Sequence, residues 1–227
     1  MKPGCRFFNC HSHRKPEAGD VFACRNAYHF LPENSIARLP YPVSAGIHPW
    51  HAADFSSVQT EHLRKLIRLQ QVIAVGEAGL DKRKGPGMNI QLSCWKAQFA
   101  LAQETGLPII VHCVRAWEEM LPFVRSTGVP MMFHDFRGSL QLMESFAKQD
   151  CIYFSFGISL LQSEKCSLVF SHIPENRFLL ETDQSALSIA SVYRAAAKIR
   201  GRESSELEGQ VKKNAIGFFG EKVLSFF

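Results

Sequence analysis

Gln91 to Cys113 reads QLSCWKAQFALAQETGLPIIVHC. The apolar spacing of Gln91 to Thr105 predicts a helix, Gly106 closes it, and Pro108 to Val111 is a short apolar run expected to form a strand buried on both faces. His112 follows at once. The same order, a helical stretch, a glycine or proline stop and an apolar strand, recurs along the rest of the chain.

Seven other runs have strand character: Arg6 to Cys10, Val21 to Arg25, Val43 to Ile47, Val72 to Gly76, Pro130 to Phe133, Cys151 to Phe156 and Arg177 to Glu181. Helix-like stretches lie among them at Glu61 to Gln70, Ala116 to Ser126, Leu140 to Lys148 and Val192 to Ile199. Strands alternating with helices form a parallel sheet, and eight of them predict a closed TIM-type (β/α)8 barrel of the α/β class. In a chain of 227 residues the loops of that barrel must be short. No composition break, low-complexity tract or solenoid repeat divides the sequence, so residues 1–227 read as a single domain.

The chain is 46% hydrophobic and 21% charged, enough for one sizeable core. No apolar run approaches the roughly 20 residues that span a bilayer, and the opening MKPGCRFFNCHSH lacks the layout of a signal peptide. The expectation is a cytoplasmic protein with no membrane and no obligate protein partner. Seven cysteines, odd in number and without a CxxC pair, read as reduced core residues. A net charge of +5 suits an anionic substrate but is too small for a protein that coats nucleic acid.

In such barrels the reacting groups stand where strands end. Those places hold His11 and His13 after the first strand, His48 after the third, Glu77 after the fourth, His112 after the fifth, His134 after the sixth, and Glu181 and Asp183 around the end of the eighth. His11 and His13, at i and i+2, point to one side of a strand and can share a cation. Six strands that deliver His, Glu or Asp to one mouth would carry a large desolvation cost unless the set held something, which predicts a metal centre. Imidazole and carboxylate without thiolate suit zinc as well as Mg or Mn and do not separate them. Two divalent cations about 3.5 to 4 Å apart need a shared carboxylate, and Glu77, in the middle of the strand order, is the natural bridge. His29, His51, His62 and His172 lie off the strand ends and read as surface or packing residues.

Basic residues follow these positions: Arg14, Lys15, Lys82, Arg83, Lys84, Arg115 and Arg137. A ring of them around the mouth fits a polyanion threading past the metals. Trp50 stands at the same mouth, either to stack on a base or to cap the barrel.

The ordered motifs FxNxHSH, GIHPWH, VGEAGLD, LPIIVHCVR, FHDFRGS and LLETDQ closely resemble the TatD family of metal-dependent hydrolases, over roughly Phe7 to Phe219, and KKNAIGFFG resembles that family's closing helix. The resemblance implies an amidohydrolase-like architecture with one cation on His11, His13, Glu77 and Asp183 and a second on Glu77, His112 and His134. It also implies that Asp183 takes a proton from the attacking water, and that the reaction is magnesium-dependent hydrolysis of DNA phosphodiesters, in some members from the 3′ end. Asn9 stands where the family commonly has Asp, and Arg14 and Lys15 replace a usual Leu-Asp, so hydrogen bonding around His11 and His13 is where this chain would differ. His48 and Glu181 are expected behind the ligands or against substrate, with Glu181 accepting a proton from a ligating histidine, and Arg115 and Arg137 against neighbouring phosphates. Two other readings share the ligand set. Two metals polarise a carbonyl as readily as a phosphoryl group, which admits an amide or ester hydrolase acting on an acyl substrate, and metals without turnover would make a non-catalytic metal-binding protein.

Overall fold

The computed structural model describes residues 7–15, 21–28 and 32–226. Cys5, Arg6 and His29 lie outside the described residues. Eight parallel strands follow in chain order: β1 (Phe7–Ser12), β2 (Val21–Tyr28), β3 (Val43–Gly46), β4 (Val72–Asp81), β5 (Ile109–Val114), β6 (Met131–Phe133), β7 (Ile152–Phe156) and β8 (Phe178–Leu180). The helices are α1 (Glu33–Ile36), α2 (Ser57–Leu66), α3 (Met88–Thr105), α4 (Trp117–Ser126), α5 (Leu140–Phe146), α6 (Ser159–Gln162), α7 (Glu164–His172), α8 (Ile189–Arg200) and α9 (Ser204–Phe219). No described helix is long and apolar enough to cross a membrane.

The two edges of the sheet meet beyond β8. The His13 N–H donates to the Asp183 carbonyl at 3.0 Å, and the Asp183 N–H donates to the His11 carbonyl at 3.1 Å. Asn9 adds a second fastening, its Nδ2 donating to Thr182 Oγ1 at 2.8 Å and its Oδ1 accepting from the Thr182 N–H at 3.1 Å. The Asn9 side chain thus ties β1 to the segment carrying Asp183.

Strand limits differ from the sequence expectation in a way that matters. β4 and β5 run to Asp81 and Val114 rather than stopping at Gly76 and Val111, so Glu77 and His112 lie inside strands. Ala78 and Leu80 are fully buried and alternate with Glu77, Gly79 and Asp81, a period-2 pattern whose small and acidic members hide it in the sequence. The β4–β5 register shifts between Val75 and Ala78, a bulge of the kind that re-aims a side chain next to an active site. Conversely β3 stops at Gly46 and β8 at Leu180, which places His48, Glu181 and Asp183 in the following turns. Helix α2 begins at Ser57 and ends at Leu66 instead of spanning Glu61 to Gln70, because Leu66 and Ile67 already close the buried face.

Helix α3 braces two strand ends. Its buried residues Gln91, Cys94, Trp95, Gln98, Leu101 and Ala102 recur at three- and four-residue steps, and Gly106 ends it in the left-handed conformation at φ 69°. Gln98 on this face accepts from the Ile47 N–H at 2.7 Å and donates to the Ile47 carbonyl at 3.0 Å, just before His48. Gln91 does the same for Asp81, at 2.7 Å and 3.0 Å. Opposite, an aromatic cluster packs β6 to β8 against their helices, with Phe136 and Phe154 centroids 4.8 Å apart and Phe170 and Phe178 5.0 Å apart. Each fully buried Phe contributes about 1.5 to 3 kcal/mol, so this half of the barrel is a rigid support for the turns after β6 and β8.

Candidate metal centre

Glu77 is 2% exposed and its two oxygens face different neighbours. Oε2 lies 3.3 Å from His11 Nε2 and 3.1 Å from His13 Nε2, and these two rings reach Asp183 Oδ1 at 3.7 Å and 3.2 Å. Oε1 lies 2.7 Å from His112 Nδ1, 2.8 Å from His134 Nε2 and 3.1 Å from His48 Nε2. Three groups have the spacing to hold a cation: His11 with Glu77 and His134, His11 with His13 and Asp183, and His48 with Glu77 and His112. All eight side chains expected at the strand ends are therefore brought to one end of the barrel, with Glu181 behind His134.

The donor set fits divalent metal. Both ring nitrogens of His11 are buried without a hydrogen-bond partner among the described residues, a costly state unless Nε2 has an ion to ligate. Around Oε1, His112 Nδ1 comes within 3.2 Å of His134 Nε2 and 3.3 Å of His48 Nε2. Imidazole nitrogens converging beside a carboxylate, as His112 and His134 do here, suit Zn or a harder Mg or Mn ion.

Without metal, protons take that place. Burial pushes the Glu77 carboxyl up, but the His134 charge and the other imidazoles hold it well below the usual carboxylate range. Burial lowers the His134 imidazole, yet the Glu77 charge outweighs it and the pKa stands well above the ordinary value. His13 behaves likewise: burial opposes the charge, and hydrogen bonds to Asp183 and Glu77 raise it to about 9. Asp183 is pushed up by burial and pulled down, first by the His13 hydrogen bond, to about 2. Burial keeps the His48 imidazole below its ordinary value.

Three backbone positions at this mouth have positive φ without glycine: Arg115 at 56°, Asp135 at 38° and Asp183 at 49°. Such conformations cost about 1 to 3 kcal/mol each and cluster at functional sites. Beside the histidines a cavity of about 490 Å³ is lined by Arg83, Arg115, Arg137 and Lys165 together with His112, His134 and Asp183.

Sequence reasoning placed Arg115 and Arg137 at the mouth, where they lie, but it missed Lys165 on α7, Asn26 on β2 and Asp81 at the end of β4. Asn26 Nδ2 donates to Glu77 Oε2 at 3.2 Å, and Asp81 Oδ2 lies 3.2 Å from His112 Nε2. Only Asp81 carried a signal, standing in VGEAGLD four residues after Glu77 on a strand of period 2. Two of the cations expected around the mouth have acidic partners: Lys82 pairs with Glu119 at 2.7 Å and Arg137 with Asp135 at 2.7 Å. Lys84 Nζ lies over the Trp50 ring, 3.5 Å from its centroid. His51 and His62 are half-buried outside the cluster and His172 is exposed on α7.

An eight-stranded parallel barrel with histidines and acids gathered at one mouth defines a barrel hydrolase of the metal-dependent class. The profile of the family described as TatD related DNase matches residues 21–220, and the chain belongs to that family. It is 29% identical over 205 residues to the 3′-5′ ssDNA/RNA exonuclease TatD of Erwinia amylovora, covering 78% of this chain and 77% of that protein. It is 34% identical over 145 residues to the uncharacterized metal-dependent hydrolase YabD of Bacillus subtilis, covering 61% of this chain and 56% of that one. Among solved structures, YJJV, a TatD homolog from Escherichia coli K12, superposes with a TM-score of 0.81 at 24% identity, over 95% of this chain and 98% of that one, and shows the shared fold.

Proposed function

We propose that the chain is a metal-dependent nuclease that hydrolyses phosphodiester bonds of single-stranded DNA or RNA from the 3′ end, with a divalent cation on each side of Glu77. The observation that carries this reading is the divided Glu77 carboxylate, Oε2 toward His11 and His13 and Oε1 toward His112 and His134. Glu77 with His11, His13 and Asp183 on one side and with His112 and His134 on the other would hold the cations, which would supply positive charge for the phosphoryl oxygens and a water of lowered pKa. Asp183, one-third exposed toward the cavity, accepts the proton of that water; with its carboxyl held to about 2 it is ionised at every working pH. Arg83, Arg115, Arg137 and Lys165 hold the phosphates that flank the scissile bond. The DNase family and the ssDNA/RNA exonuclease name of the Erwinia relative support this substrate class.

The test is shortening of end-labelled single-stranded DNA with Mg²⁺ or Mn²⁺, beside a chelator control. Asp183→Asn is expected to slow it by about 10² to 10⁴-fold, the range for a lost general base. Undiminished cleavage by that variant would remove Asp183 from the proton path. No cleavage by the unaltered protein with any metal would turn the reading toward an acyl substrate.

Metal loading is expected to release protons. His13, raised from 6.5 to about 9, is protonated at neutral pH and must lose that proton to ligate, so affinity for Zn²⁺ rises with pH and levels near pH 9. Calorimetry in two buffers of different ionisation enthalpy reads the release; equal heats in both would contradict it. In the metal-free protein the sign is fixed by the same shift. The His13 contribution to stability is full below pH 6.5 and lost as pH rises through about 9. That of Asp183 is full above 3.8 and lost as pH falls through about 2.

A further inference from the structure

Three imidazoles face Glu77 Oε1, and the partner behind each ring sorts them. Behind His134, Glu181 Oε1 lies 3.3 Å from Nδ1, and behind His112, Asp81 Oδ2 lies 3.2 Å from Nε2. An ionised carboxylate only accepts, so each of these rings keeps its rear proton, and the nitrogen facing Glu77 is the one each would give to a cation held there. His48 is the reverse case. The Trp50 backbone N–H donates to its Nδ1 at 3.2 Å, which puts the ring proton on Nε2, pointing at Glu77. His48 therefore donates to the carboxylate and offers no lone pair there.

Asp81 is built to stay ionised. It is 4% exposed, and its oxygens face four groups. Oδ2 accepts from the Trp50 indole Nε1–H at 2.7 Å and faces His112, while Oδ1 accepts from the backbone N–H groups of Arg83 at 2.7 Å and Lys84 at 3.2 Å. An amide cannot replace it, because turning its oxygen to one pair of donors turns its NH₂ to the other pair. Gln91 fixes the backbone of the same residue from α3.

We infer that Asp81, locked by the Trp50 indole, is a positioning residue that fixes which nitrogen His112 presents to Glu77, and that Trp50 with its two N–H groups assigns His112 to the metal and His48 to the carboxylate. The inference rests on the proposed cation pair about Glu77. Nothing here requires Trp50 to touch nucleic acid.

The experiment is Zn²⁺ binding by calorimetry to the full chain and to its Asp81→Asn and Trp50→Phe variants. Asp81→Asn is expected to weaken one of two binding events by about 10 to 100-fold and leave the other alone; Trp50→Phe weakens the same event less. Raised metal then restores cleavage by both variants, which general damage to the fold would not allow. Nitrogen spectra of the Zn²⁺-loaded protein should show the His112 proton on Nε2. Two wild-type events in both variants, or a His112 proton on Nδ1, would overturn the inference while leaving the cation pair standing. No Zn²⁺ binding by the unaltered protein would overturn the cation pair and this inference with it. Should Asp81→Asn fail to fold, Trp50→Phe and the spectra decide.

Discussion

Glu77→Gln is expected to abolish both metal-binding events and to lower turnover by at least about 10³-fold, the several kcal/mol that metal charge contributes to a phosphoryl transition state. The carboxylate is 2% exposed among five imidazoles, and an amide in its place would point an NH₂, which cannot ligate, at one proposed cation position and a neutral oxygen at the other. In the metal-free variant His13 loses one of the two partners that raise it to about 9, so its pKa must fall. Metal content after dialysis and shortening of end-labelled single-stranded DNA read the result. A variant that still holds one cation with unaltered affinity would show that Glu77 serves one side only.

The second large effect is on stability. Gly79, inside β4, has φ 151°, and a Cβ there would stand 2.0 Å from the His112 carbonyl oxygen and 2.9 Å from its carbonyl carbon. Both atoms are backbone of the adjoining strand, so neither can yield without breaking the β4–β5 ladder that aligns Glu77 with His112. Gly79→Ala is expected to cost about 3 to 5 kcal/mol, or to prevent folding, against a typical substitution cost near 1 kcal/mol. For a chain of this length each kcal/mol moves Tm by roughly 2 to 4 °C. Gly209→Ala on α9 is the control, since a Cβ there meets nothing within 4 Å, and it should leave Tm unchanged or slightly raised. Equal melting of the two variants would show that the strands can part at no great cost.

Much of the site was legible because the principal side chains follow apolar runs on six different strands. His112 after Pro108 to Val111 and His134 after Pro130 to Phe133 need no more than the rule that parallel strands are buried and end at a common mouth. What was illegible depends on partners far away in the chain. Asp81 reads as the start of a charged loop, LDKRKG, and its role comes from Trp50 and His112, thirty-one residues away on either side. Asn26 sits on the strand with the weakest apolar pattern, and only the pairing of β2 with β3 brings it to Glu77. The left-handed backbone of Arg115 has no cue at all, since that residue type has no preference for it. The pairing of two of the mouth's cations was hidden for a related reason: the acid that binds Lys82 lies on α4, beyond β5, and the one that binds Arg137 in the same turn, and charge counting does not pair them.

The meeting of the two sheet edges has a bearing on the order of events in synthesis. Asn9 and Thr182, whose side chains join there, are 173 positions apart, so this is among the most distant contacts the chain makes and among the last that folding can repay. Asp183 arrives with it. A nascent chain that has emerged only as far as β7 holds the histidines and Glu77 without the carboxylate proposed to take the proton. Turnover by the proposed route would therefore wait for the contact that closes the barrel.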